Sequence, residues 1–399
     1  MDKENEELNL NNENEKEISK VISQKIEEFS NFDLDEEEGF KVKIKIIGAG
    51  GAGGNAINDM ITNGIEGVEF IAINTDLQDL RKSMAKKRLQ IGKELTKGLG
   101  AGADPKVGEK AAEENRNEIK ELIKDVDMLF ITAGMGGGTG TGAAPVIAEI
   151  ARELEILTIA VVSKPFSFEG TRRQENCEAG IEKLKKYVDT IVVIPNDKLF
   201  ELEGRRVTLK NAFKEANKVL FTGVKGIAEL VTIPGLINID FADVKTIVRE
   251  SGIAMLGFGE GFGESGAVDA AKSAISNPLL EKSVSGSRRI LINISGTDNL
   301  TMESINIAVN FIKDKVSGIE TNFIFGSTFI ETDDPNDDII KITLIATDFE
   351  NDNKIKENIL NKKPVLNTSF NDTNKGKKDL NDSDFDSELD LPAFIRRRR

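Results

Sequence analysis

The 399-residue sequence predicts an α/β fold, a doubly wound parallel sheet followed by a smaller α+β unit, and three observations carry that prediction. Short apolar runs alternate with helix-length segments from residue 41 onward, the order that produces parallel strands joined by crossover helices. Glycine clusters directly follow two of those runs, at 48–54 and 134–142. An unbroken helical periodicity then extends from Leu209 to Val231 before the pattern changes.

The first strands are expected at Lys41–Ile47, Val68–Asn74, Asp127–Thr132, Ile156–Ser163 and Thr190–Pro195, with helices between them, notably Ala56–Ile61, Pro145–Leu154 and Ile181–Tyr187. In a sheet of this kind ligands sit beyond the carboxyl ends of the strands. Leu209, Ala212, Phe213, Ala216, Val219, Leu220, Val224, Ile227, Leu230 and Val231 recur at three- and four-residue intervals. A helix apolar over so many turns is buried along its length, and its place is between two domains, ending near Pro234-Gly235. Strands at Gly252–Gly259, Arg289–Ser295, Asn322–Ser327 and Ile339–Thr347 then surround helices at Ala267–Ser276 and Met302–Val316, a mixed sheet with covering helices.

Charge and composition mark the ends. Residues 1–40 carry 4 basic and 14 acidic side chains, which favours disorder, although Ile18, Val21, Ile22, Ile26 and Phe29 also fit a weak amphipathic helix. After Asp348 the chain is rich in Asn, Asp and Lys, too poor in apolar residues for a core. Apolar side chains return only in Leu389, Leu391, Phe394 and Ile395, ahead of Arg396–Arg399, the composition of a docking peptide on a tether. The expected division is therefore an acidic extension (1–40), a nucleotide-binding domain (41–208), a central helix (209–233), a C-terminal α+β domain (234–348), a linker (349–384) and a partner-binding peptide (385–399).

Several chemistries are excluded. The sequence contains no His, so Ser-His-Asp and Cys-His catalysis and imidazole metal sites are ruled out. The single cysteine, Cys177, allows no internal disulfide, which fits a reducing cytosol, and its surroundings suit an inert helix residue. A net charge of −15 argues against nucleic acid as a partner. The N-terminus has no secretory pattern and no stretch approaches about 18 uninterrupted apolar residues, so a cytoplasmic protein is expected.

The glycine clusters carry the chemistry. Gly48-Ala-Gly-Gly-Ala-Gly-Gly-Asn55 follows a strand and opens a helix, where bare backbone and helix N-terminal amides suit a phosphate. Gly48, Gly50 and Gly53 also match the dinucleotide fingerprint, with Asp76 after the second strand. Gly134-Met-Gly-Gly-Gly-Thr-Gly-Thr-Gly142 repeats the arrangement after another strand. Two such loops point to a polyphosphate held from two sides; a dinucleotide oxidoreductase needs one, and neither loop has the lysine of a Walker motif.

Ile47–Ala56, Asn74-Thr-Asp76, Gly98-Leu-Gly-Ala-Gly102, the Gly-Gly-Gly-Thr-Gly-Thr-Gly run at 136–142 and Pro234-Gly-Leu-Ile-Asn-Ile-Asp-Phe-Ala-Asp243 closely resemble the bacterial cell-division GTPases of the FtsZ family, in the tubulin superfamily. The likeness covers about residues 41–348 and returns in Leu389–Ile395; the long acidic extension departs from it. The resemblance implies a Rossmann-like tubulin/FtsZ GTPase domain with a long central helix and a second smaller α+β domain. It implies GTP or GDP as ligand, with Gly51, Ala52, Gly53, Gly54, Asn55, Ala101, Gly102, Gly138, Thr139 and Gly140 around the phosphates. Glu169 and Arg173 would reach the ribose side, though they also fit an ordinary i,i+4 ion pair. Phe213 would stack on the base and Asn217 would meet its edge, while Phe213 equally suits a core. Met135 and Asn196 are candidates for the rim.

Asn238, Asp240 and Asp243 are assigned by the same resemblance to catalysis in the pocket of the next subunit. Asp240 also reads simply as an N-cap and Asp243 as a first-turn acid. The implied protein is a head-to-tail filament that hydrolyses GTP between subunits at the mid-cell division site. Mg2+ would be held mainly by phosphates and water, with no dedicated protein metal site, and membrane-linked adaptors such as FtsA would bind the C-terminal peptide. The alternatives are a dinucleotide-dependent oxidoreductase and a polymer that binds nucleotide without turnover.

Overall fold

In a computed structural model of the chain, the described residues are 42–199, 208–233, 235–237, 239–276, 284–316, 321–330 and 338–349. The expectations for the acidic extension, for Asn238 and for the linker and C-terminal peptide beyond Phe349 fall outside them.

The chain enters the sheet at β1 (Ile44–Ala49) and continues through α1 (Gly50–Thr62), β2 (Val68–Asn74), α2 (Leu77–Lys82), β3 (Lys87–Gln90), α3 (Lys93–Thr96), α4 (Pro105–Glu114), α5 (Arg116–Ile123) and β4 (Met128–Gly134). It proceeds through α6 (Thr139–Glu153), β5 (Leu157–Lys164), α7 (Thr171–Leu184), β6 (Thr190–Pro195), the 24-residue α8 (Leu209–Thr232) and α9 (Phe241–Val248). The remaining elements are β7 (Gly252–Phe262), α10 (Gly266–Ile275), β8 (Ser287–Gly296), α11 (Met302–Val316), β9 (Asn322–Phe329) and β10 (Ile339–Phe349).

Among the described residues ten strands join in one sheet, in the order β3-β2-β1-β4-β5-β6-β7-β10-β8-β9. The first six are mutually parallel. The expected second, mixed sheet is fused to them through β7. Its first residues pair in parallel with β6, Thr190 to Val192 against Gly252 to Ala254, and from Met255 onward it pairs antiparallel with β10.

Burial on both faces explains why the central strands read as continuous apolar runs. Ile46, Phe130 and Val161 face α1, α8 and α9, whereas Ile47, Ile131 and Val162 face α4 to α7. A further core joins Ile290, Ile292, Ile342 and Leu344 to α10 and α11. The long helix starts under a Thr208 cap, whose side chain accepts from Asn211 N. Leu220, Val224 and Ile227 of α8 share one apolar cluster with Leu256, Leu291 and Ile345 of the C-terminal strands. Gly226 permits that approach, because a Cβ there would lie 2.6 Å from Thr343 Cγ2.

Both glycine-rich segments are more helical than the sequence suggests. α1 starts at Gly50, six residues before its first expected position, and α6 starts at Thr139, six before Pro145. Tight packing offsets the low helix propensity of these glycines. A Cβ on Gly53 would lie 2.6 Å from Thr132 O, and one on Gly142 would lie 2.1 Å from Pro105 O. Such side chains would push α1 off β4 and α6 off α4. The polar edge strand β3 carries no apolar alternation, so no periodicity marks it in the sequence.

Candidate functional site

A cleft of about 460 Å³ opens where β1, β2, β4, β5 and β6 end. Three loops meet there. Gly50, Gly51 and Ala52 begin α1, Gly100 to Ala103 precede α4, and Gly137 to Gly140 lead into α6. Neither Ala49 nor Gly138, the residues preceding α1 and α6, caps its helix with a side chain. First-turn amides and the positive ends of two helix dipoles therefore serve the same cleft, as an anionic ligand requires. The α4 terminus differs, since Asp104 accepts from Lys106 N at 2.9 Å.

Close approach sets the residue types. A Cβ on Gly50 would lie 2.8 Å from Gly140 N, and one on Gly138 would lie 2.8 Å from the Ala101 Cβ. Gly50 also has a φ of 72°, in the left-handed region. The glycines let the three loops come together closely, so that mainly backbone amides, with the Thr139 side chain, border the ligand space.

The opposite wall is built from α7, α8 and the turns before them. Glu169 Oε1 accepts from Phe166 N at 2.9 Å, while Oε2 is paired with Arg173. The carboxylate is thus oriented at the cleft and is more than an exposed helix pair. Phe166 is fully buried, stacks on Phe168 with centroids 5.0 Å apart and meets Phe213 edge-on at 5.3 Å. Phe213 stays 43 % exposed, leaving ring surface available beside Asn217, one turn along α8. Asn196 is buried, lines the same wall, and its Oδ1 has no hydrogen-bond partner. A lone buried acceptor on the wall suits a ligand's N–H.

Gly51, Ala52, Ala101, Gly102, Gly138, Thr139, Gly140, Glu169, Arg173, Phe213 and Asn217 thus converge on one cleft, together with the rim candidates Met135 and Asn196. Three expected phosphate residues do not line it. Gly53 packs α1 against β1 and β4, while Gly54 and Asn55 have turned with the helix toward a small hollow beside Asn58 and Lys82. The cause is α1 starting at Gly50: only the first-turn amides are free of bonds within the helix, and by Gly53 the backbone has moved about 5 Å along the axis, away from the cleft. Asn74, Asp76 and Asp79, not selected as ligands from sequence, line the near rim. These oxygens suit a hard cation, but Asp76 is engaged by the amides of Gln78 and Asp79 at 2.8 and 3.2 Å. Among the described residues no three His, Cys, Asp or Glu side chains are grouped to hold a metal.

Asp240 and Asp243 do not line the cleft. They stand at the start of α9, where Asp240 Oδ1 accepts from Asp243 N at 2.7 Å.

Residues 43–204 match the GTPase domain of the Tubulin/FtsZ family, and residues 252–350 match the C-terminal domain of the FtsZ family. An empty FtsZ dimer from M. jannaschii is 45% identical, covering 79% of this chain and 90% of that one, with a TM-score of 0.74. The chain belongs to the tubulin/FtsZ family. A mutant form of M. jannaschii FtsZ is also 45% identical, over 80% of this chain and 94% of that one, with a TM-score of 0.75. The GDP-bound CetZ1 monomer of Haloferax volcanii, 21% identical over 79% of this chain and 97% of that one, shares the fold at a TM-score of 0.64. Tubulin/FtsZ proteins are GTPases that bind GTP and GDP, and this membership displaces the oxidoreductase alternative. Among the described residues no helix is long and apolar enough to cross a membrane.

Proposed function

We propose that the protein is a GTP-dependent filament former of the FtsZ type, which assembles head to tail and hydrolyses GTP between subunits to build a division ring. The reading is supported by one observation: three glycine-bearing loops, the Glu169 carboxylate and the wall of Phe213 and Asn217 share the cleft, while Asp240 and Asp243 stand outside it at α9. Gly51, Ala52, Ala101, Gly102, Gly138, Thr139 and Gly140 bind the phosphates through backbone and hydroxyl donors. Glu169 and Arg173 address the ribose, Phe213 stacks on the base, and Asn196 and Asn217 read its edge.

Phosphoryl transfer needs the attacking water oriented, and Asn238, Asp240 and Asp243 of an adjacent subunit supply that group. A head-to-tail contact need not close on itself, so it propagates a filament. The M. jannaschii FtsZ dimer and a protofilament of Haloferax volcanii CetZ2 support self-association. Mg2+ would be held mainly by the phosphates and water and would neutralise charge on the transferring phosphoryl group, with Asp76 and Asp79 the nearest carboxylates lining the cleft. In the cytoplasm at mid-cell, the C-terminal peptide 385–399 ties the filament indirectly to the membrane through adaptors such as FtsA.

The test is the GTPase rate per molecule against protein concentration. A site shared by two subunits gives a rate that climbs above a threshold concentration and is negligible on dilution. A rate per molecule independent of concentration overturns the shared site.

A further inference from the structure

Thr75 follows β2, is fully buried, and lies outside the residues lining the cleft. Thr139 opens α6 and lines the cleft between the glycine loops. Their hydroxyl oxygens are 2.6 Å apart, and geometry alone leaves either as the donor. A hydroxyl has one proton and two acceptor sites, so the pair shares one proton and leaves the other for a third group.

Satisfaction of the buried groups decides the direction. Among the described residues the Thr75 hydroxyl has no other hydrogen bond; the nearby Thr96 hydroxyl bonds to the Thr75 carbonyl instead, at 3.4 Å. Were Thr139 the donor, the Thr75 proton would be buried with no acceptor, an unfavourable state for an O–H group. Thr75 therefore donates, and the Thr139 proton is left to point into the cleft. There it joins the α6 N-terminal amides as one more donor for an anion.

We infer that Thr75 is a positioning residue whose buried hydroxyl holds Thr139 as a hydrogen-bond donor toward phosphate. Resting on the GTP-binding reading, this adds a residue that never touches the ligand. It distinguishes Thr75 from a packing residue, because valine fills the same volume without the proton while serine keeps the proton in less volume.

The experiment titrates full-length Thr75→Val, Thr75→Ser, Thr139→Val and the double valine variant with GTP, GDP and guanosine, alongside thermal melting. Thr75→Val is expected to weaken GTP or GDP about ten-fold, the size of one lost hydrogen bond to a charged group, and to leave guanosine unchanged. Thr75→Ser should stay within about two-fold of wild type, and the double variant should bind no more weakly than Thr139→Val alone. Unchanged nucleotide affinity in folded Thr75→Val, or equal weakening of guanosine, overturns the inference. If Thr75→Val does not fold, full GTP affinity in Thr139→Val overturns it in its place. A wild-type chain that binds neither GTP nor GDP overturns the GTPase reading and this inference with it.

Discussion

Individual side chains in this protein carry two duties that a substitution can separate. Asp240 caps α9 through the Asp243 amide and is also the proposed water-orienting acid. Asp240→Ala removes both, costing about 1 kcal/mol of stability for the cap. Asp240→Asn retains a capping oxygen and removes only the charge, so it should melt within a degree or two of wild type and bind GTP while losing most turnover. Full turnover in the Asn variant would leave the cap as the residue's whole role. Cys177 presents no such duality. Burial first, and Glu178 second, push its thiol up to about 12, so it stays protonated and inert within α7.

At the scale of an element, two carboxylates should give opposite pH signatures. Glu69 on β2 lies between Lys87 at 2.7 Å and Lys45 at 3.3 Å, on the neighbouring strands β3 and β1. Burial works to raise its pKa, but the two ammonium groups prevail and hold it below the ordinary 4.5. Its contribution is complete above that value and lost as pH falls through the lowered folded pKa. Glu229, near the end of α8, is raised above 4.5 by burial despite Lys225 at 3.4 Å. Folding favours its protonated form, so its contribution is complete in acid and fades as pH rises through the raised folded pKa. Urea midpoints across the range should show Glu69→Gln losing less stability than wild type below about pH 4.5, and Glu229→Gln losing less on going up to neutral pH. Parallel profiles for wild type and both variants would remove these assignments.

Across the whole molecule, the fused sheet and α8 form the body, and the proposed attachment lies on a separate stretch of sequence. The filament contacts of the proposed function need only residues of that body. Deleting 385–399 should therefore leave GTP-driven light scattering and phosphate release nearly unchanged while abolishing binding to an adaptor such as FtsA. Arg396–Arg399 would add attraction to anionic lipid of about 1 kcal/mol each, which salt weakens, so they do not suffice as the sole anchor. Failure of the truncated chain to polymerise, or undiminished adaptor binding, would disprove the assignment of the tail.

The amino-acid sequence by itself determined the parallel α/β class, the long central helix and the two glycine loops that border the cleft. Each is a local property: apolar runs, a 3.6-residue period, glycines after strands. The tertiary structure decided how the similar glycines divide. Gly50 and Gly138 let the loops of the cleft approach one another, whereas Gly53 and Gly142 make room for neighbouring strands and helices, a difference set by what each Cβ would meet. It also decided that the second sheet grows from the first through β7, since strand pairing between distant segments leaves no periodicity in either. Thr75 and Thr139 are 64 residues apart in sequence, and only the packing of β2 beside β1 and α6 brings their hydroxyls together. A hydrogen bond between distant residues depends on where the fold places both groups, so neither residue's local sequence could disclose it.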